Sequence, residues 1–131
     1  TPNIADTIGF ARALDYLESI DFDAAIAHEH QVHQHLTEAM LSRRKVDVLG
    51  HPKHWTSVCS FNVKGAHPTD VGTLLDQLGF AVRTGHHCAM PTMEHFGLPG
   101  TARASVAFYN TVDEVDRFLG ALDRVIGMLT Y

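Results

Sequence analysis

The strongest constraint on this chain lies near its C-terminal end. Val115, Phe118, Leu119, Leu122, Val125, Ile126 and Leu129 recur at steps of three and four, the period of one helix face. Thr111 and Glu114 precede them at the spacing of a capping box, in which each side chain satisfies a free backbone N–H of the first turn. A helix with so one-sided an apolar stripe needs a second layer to cover it. The rest of the chain supplies candidates. Residues 4–20 read as a helix, with Ile4, Ile8, Ala11, Leu14 and Leu17 as its stripe. Residues 22–42 read as a second, with Ala25, Val32, Leu36, Ala39 and Met40 on one face. A third covers about 69–78, with Val71, Leu74, Leu75 and Leu78 as its stripe and Gly79 at its stop.

Four short strands fall between and after these helices. Val46–Leu49 is closed by the turn residues Gly50 to Pro52. Thr56–Val63 alternates, with Cys59, Phe61 and Val63 on one side. Phe80–Thr84 leads into the loop Gly85-His86-His87-Cys88-Ala89-Met90-Pro91, and Arg103–Phe108 is the last. Strands interleaved with amphipathic helices predict a two-layer α/β sandwich, a small mixed β-sheet with long helices packed on one face. At 131 residues, 45% of them hydrophobic, the expectation is a single domain over 1–131 with a real core.

Charge and composition narrow the function classes. Ten Lys and Arg against fifteen Asp and Glu leave a formal charge of −5, without the basic stripe a nucleic-acid binder needs. No apolar run reaches the roughly 18–20 residues that span a bilayer. Two cysteines are too few for a disulfide scaffold, so reduced thiols and a cytoplasmic setting are expected. Thr1-Pro2-Asn3 opens the chain without Met or a signal-type segment, which suggests a piece of something longer.

Few residues carry chemical promise. Cys88 stands in a Gly- and Pro-bounded loop beside His86 and His87, with Arg83 five residues before it. Neighbouring positive or hydrogen-bonding groups favour a thiolate, the nucleophilic form; the plainer alternative is a small buried hydrophobe. Cys59, in mid-strand with Phe61 and Val63, reads as that packed thiol. Arg103 shares a strand face with Ser105 and Ala107, opposite Ala104, Val106 and Phe108. Small neighbours leave room for a planar anion on the guanidinium, although an edge-strand ion pair fits equally well. His28, His30, His33 and His35 look like a metal site, but helix geometry puts only one pair at chelating distance and structural zinc needs four ligands. No metal is expected. Lys45, Lys53 and Lys64 all stand in polar settings, unlike a Schiff-base lysine.

Taken together, Arg83-Thr84-Gly85-His86-His87-Cys88-Ala89-Met90-Pro91 and Arg103-Ala104-Ser105-Val106-Ala107-Phe108-Tyr109-Asn110-Thr111 resemble the group II, SufS-type cysteine desulfurases. These are pyridoxal-phosphate enzymes of fold type I in the class V aminotransferase family. Thr1-Pro2-Asn3, Asp70-Val71-Gly72 and Leu78-Gly79-Phe80-Ala81-Val82 follow in the same order. The resemblance covers the whole chain but only the C-terminal third of such an enzyme.

The resemblance implies the small C-terminal domain of the fold and a role for each matching residue. Cys88 matches the catalytic cysteine, which takes sulfur from L-cysteine as a persulfide and releases alanine. Arg103 matches the arginine that holds the substrate carboxylate, and Arg83 an active-site arginine near the entrance. His86 and His87 flank the nucleophile. Thr1 matches a residue whose backbone reaches the cofactor phosphate of the partner subunit in a homodimer. A SufE- or SufU-like acceptor protein would receive the sulfur for iron–sulfur cluster assembly. The domain bearing the pyridoxal-phosphate lysine is absent, so no covalently bound cofactor and no turnover are expected of this chain alone. Two alternatives stay open: a selenocysteine lyase of the same family, and a free-standing thiol- or metal-binding module.

Overall fold

The computed structural model describes residues 1–50 and 56–130. Five helices and four strands follow in order: α1 (Ile4–Glu18), α2 (Phe22–Leu41), β1 (Val46–Val48), β2 (Val58–Val63), α3 (Pro68–Gln77), β3 (Arg83–Gly85), α4 (Met90–Phe96), β4 (Thr101–Ser105) and α5 (Val112–Leu129). The strands form one sheet in the order β1-β2-β4-β3. The α/β sandwich is the expected one, with a difference in the sheet: all three pairings are antiparallel rather than mixed. Helices α2, α3 and α5 supply the second layer.

The alternation of β2 puts Cys59, Phe61 and Val63 into the core and its other residues outward. Leu36 and Met40 of α2, Leu75 of α3 and Leu122 and Val125 of α5 meet them, each almost wholly buried. The Phe118 ring stands edge-on to Phe61 and Phe80, at 6.5 and 5.8 Å between centroids. The capping box of α5 forms as its spacing predicts: Glu114 N–H donates to Thr111 Oγ1, and Thr111 N–H donates to the Glu114 carboxylate at 2.8 Å. The Thr111 N–H, helped by the Asn110 side-chain amide, holds the Glu114 carboxyl below its ordinary pKa.

Local signals and tertiary structure part company at several points. The apolar stripe of α1 is not buried: Ile4, Ile8, Leu14 and Leu17 are all exposed. The Asn3 cap, which accepts from Asp6 N–H, starts this helix locally, but the described residues bring no second surface to its face. The strand expected from Phe80 begins only at Arg83. Phe80 N–H is spent on the Leu75 carbonyl and Gly79 N–H on Asp76, a Schellman closure that needs the left-handed φ of 85° at Gly79. The last strand runs Thr101–Ser105 rather than Arg103–Phe108. Its phase is as expected, with Ala102 and Ala104 inward, but Phe108 turns out to solvent beside Tyr109. Residues expected as loop after Cys88 form α4, closed by Gly97. Leu49 falls just outside β1, though its N–H still donates to the Ser60 carbonyl. Pro52 and Lys53 lie outside the described residues.

Candidate active site

The candidate site is the outer face of the sheet at its β3 edge, with the turn that follows β3. In the antiparallel register Arg103 of β4 stands between Ser60 of β2 and Arg83 of β3. Partners directly opposite in such a ladder lie on the same face, so the two guanidinium-bearing residues are neighbours. Among the described residues neither forms an ion pair, and the Arg103 Nε is buried without a hydrogen-bond partner. A buried donor left unmade costs about 1–3 kcal/mol. The open alternative for Arg103, an ordinary edge-strand ion pair, is not what is found. The arrangement instead suits an anion with two oxygens, which Arg binds through parallel bonds.

Beyond Gly85 the chain reverses over residues 86–89. Ala89 N–H donates to the His86 carbonyl at 2.9 Å, and His87 and Cys88 both have φ of 56°. Left-handed backbone at both central positions marks a type I′ turn, a geometry that favours Asn and Gly. Each residue with a Cβ costs roughly 1–2 kcal/mol there, so the surroundings must hold it. Cys88 sits exposed at the apex, and its N–H donates to the His86 ring at 3.1 Å. The His87 ring points the other way: its Nε2 is 2.8 Å from Thr101 Oγ1 and 3.1 Å from the Thr101 carbonyl. Burial lowers the His87 pKa; the Thr101 carbonyl opposes the shift, and the positive field of Arg103 and Arg83 adds to it. Burial and the two guanidinium groups thus favour the neutral ring.

The structure thus brings Cys88, His86, His87, Arg83 and Arg103 to one edge of the sheet. Thr1 is not among them: it lies exposed at the head of α1, a helix without a buried residue. Cys59 is fully buried, and desolvation raises its thiol pKa to about 11.

Three of the four helical histidines are tied to other elements, and His30 stays exposed. The His28 ring meets the Asn110 carbonyl at 2.8 Å, and His35 meets Asp116 at 2.6 Å. His33 is buried, bonds the Val58 backbone and lies 3.4 Å from Thr37 Oγ1. Among the described residues no group of three or more His, Cys, Asp or Glu could hold a metal ion. Lys45 donates to Thr130, and Lys64 pairs with Asp47 on β1, the strand farthest from the Cys88 turn. The residues described here do not fit a covalently held pyridoxal phosphate.

Two participants escaped the sequence reading. Thr101, 1% exposed, anchors His87. Asn62 donates from Nδ2 to the Gly100 carbonyl at 3.1 Å while its Oδ1 is buried without a partner. The alternation of β2 placed Asn62 opposite Phe61 and Val63, but nothing local pointed to its partner 38 residues away. A cleft of about 430 Å³ between residues 78–82 and the start of α5 is lined by none of the turn residues. No helix among the described residues is long and apolar enough to cross a membrane.

Comparison with known proteins finds relatives over nearly the whole chain. A "probable cysteine desulfurase" of Pseudomonas putida is 46% identical over 129 residues, which is 98% of this chain and 32% of that protein. The structure superposes on the cysteine desulfurase CsdA of Escherichia coli, in its S-sulfonic acid form, with a TM-score of 0.89 and 34% identity. That match covers 99% of this chain and 32% of the other. A cysteine desulfurase of Thermococcus onnurineus gives 0.87 and 39%, over 98% of this chain and 32% of the other. The chain spans about a third of the length of each of these relatives. The family description "Aminotransferase class-V" matches residues 1–118. The chain belongs to the aminotransferase class-V family.

Proposed function

We propose that this chain is the C-terminal, cysteine-bearing domain of a SufS-type, group II cysteine desulfurase. The observation that carries the reading is an exposed cysteine at the apex of a strained turn, beside two arginines that form no ion pair among the described residues. The cysteine desulfurases it resembles over nearly its whole length support the same reading.

In the proposed reaction the C–S bond of L-cysteine breaks and an S–S bond to Cys88 forms. The carbon that loses sulfur takes a proton and leaves as alanine. Arg103 holds the substrate carboxylate, with Arg83 at the entrance. Cys88, carrying the persulfide at an exposed tip, then offers it to a SufE- or SufU-like acceptor for iron–sulfur cluster assembly. Pyridoxal phosphate supplies the electron sink for such chemistry. With no described lysine at the site, its attachment falls to residues beyond those described, in a homodimer whose partner subunit receives the Thr1 backbone at the cofactor phosphate. A cytoplasmic setting suits the free thiols.

The test compares two polypeptides, both given pyridoxal phosphate and L-cysteine. The 131-residue chain should yield no alanine and no internal-aldimine absorbance. The longer product of the same reading frame should yield alanine, with a persulfide mapped by mass spectrometry to the Cys88 peptide. Turnover by the short chain would falsify the domain reading. Stoichiometric zinc binding at the histidines would favour a free-standing metal module, and preference for selenocysteine a lyase of the same family.

A further inference from the structure

Two imidazoles flank Cys88 and do different things. His86 accepts the Cys88 N–H at Nδ1. His87 turns away and meets the Gly100–Thr101 segment. We infer that Thr101 is a positioning residue for Cys88, acting through the His87 ring, with Asn62 holding the peptide on which Thr101 stands.

Three independent contacts converge on that segment. The His87 Nε2 lies within hydrogen-bond distance of both Thr101 oxygens, and the carbonyl can only accept. The ring satisfies both contacts when Nε2 carries the proton, which leaves Nδ1 as a bare lone pair, buried and without a partner. Asn62 Nδ2 donates to the Gly100 carbonyl from β2. Gly100 also lies so close to Gly85, the residue that opens the turn, that a Cβ on Gly100 would come within 3.0 Å of the Gly85 carbonyl. Thr101 is 1% exposed. The base of the turn and the ring of its first central residue are thus both seated on one buried peptide. This seating holds two non-glycine residues in left-handed backbone, a conformation that persists only where neighbours over-determine it. A side chain drawn inward at position 87 leaves the next one, Cys88, on the exposed side.

The meaning of this device rests on Cys88 as the sulfur carrier, but its test needs no turnover. In the 131-residue chain, ¹⁵N shifts of the His87 ring at neutral pH should show Nε2 protonated and Nδ1 bare. In Thr101→Val the Cys88 and Ala89 amides should exchange faster, on the order of fivefold, as expected for one lost neutral hydrogen bond. The Leu122 and Val125 amides in α5 should be unchanged, and Thr101→Ser, which keeps the hydroxyl, should behave as wild type. A proton on Nδ1 in the wild-type ring overturns the proposal, and that measurement stands even if Thr101→Val does not fold. Unchanged turn amides in Thr101→Val, or uniform acceleration reaching α5, overturn it too. A chain that passes while the longer enzyme carries no persulfide at Cys88 sinks the sulfur reading alone.

Discussion

Arg83 and Arg103 are direct cross-strand partners in the β3–β4 pair, two like charges on one face with no carboxylate bonded to either among the described residues. Like charges directly opposite are destabilising, by up to about 1 kcal/mol. Two unpaired guanidinium groups on one face suit a bound anion. Sulfate or a small carboxylate should therefore raise the melting temperature of the chain, by mass action on the native state, and Arg103→Ala should largely remove that effect. Without added anion, Arg83→Ala should be neutral or stabilising by a few tenths of a kcal/mol up to about 1. Calorimetry on the three proteins checks both statements; a marked loss of stability in Arg83→Ala would mean the guanidinium is satisfied within the fold.

In the proposed longer desulfurase, Arg103→Ala should raise KM for cysteine at least about tenfold or abolish activity, since charge-assisted bonds contribute roughly 1.5–3 kcal/mol each. Arg103→Lys should not restore it, because an ammonium lacks the planar fork. Steady-state kinetics decides this. Near-normal constants in Arg103→Ala would move the carboxylate clamp, with Arg83 next in line.

The two thiols should separate cleanly in native labelling. Cys88 is exposed, whereas Cys59 is fully buried with its pKa pushed up to about 11. Iodoacetamide at pH 8 should modify Cys88 within minutes and Cys59 only after unfolding, as peptide mass mapping would reveal. Cys88→Ser should abolish persulfide formation in the longer enzyme while leaving cofactor binding intact. Cys59→Ala should cost stability and little activity. First labelling of Cys59 in the native chain would contradict the assignment.

Stability should fall on mild acidification. Burial lowers the pKa of His33 from 6.5 and that of His87 likewise, so near pH 6 the unfolded chain binds protons that the native chain resists. The contribution of these groups is complete above about 6.5 and is lost as the pH drops through their lower folded values. Urea unfolding at pH 7.5 and 5.5 should show the lower stability at 5.5. His33→Gln should narrow the gap; an unchanged gap would place the acid sensitivity elsewhere.

Much of the fold is legible because its signals act over short distances. The step of three and four in α5, the Thr111–Glu114 box, the alternation of β2 and the stop at Gly79 each involve residues within about one or two turns of each other. The same locality marked Cys88 as a loop thiol and Cys59 as a core thiol. It misjudged α1, because an apolar stripe shows that a helix has a face to bury and says nothing about what covers it. It misjudged Phe80 as well, where a helix-closing bond to Leu75 claimed the N–H a strand would have used.

What the sequence by itself determined was the type of every element except α4, the inward phase of β2 and β4, and the candidates Cys88 and Arg103. Only the tertiary structure decided how these candidates meet. The β3–β4 register sets Arg83 against Arg103, and a shift of one residue would have put them on opposite faces. The seating of His87 on Thr101, 14 residues away, holds two non-glycine residues in backbone that local preference disfavours. Asn62 reaches Gly100 only because β2 lies beside β4. Pairing between distant segments depends on the closure of the whole sheet against α2, α3 and α5, and no periodicity within a single segment encodes that closure.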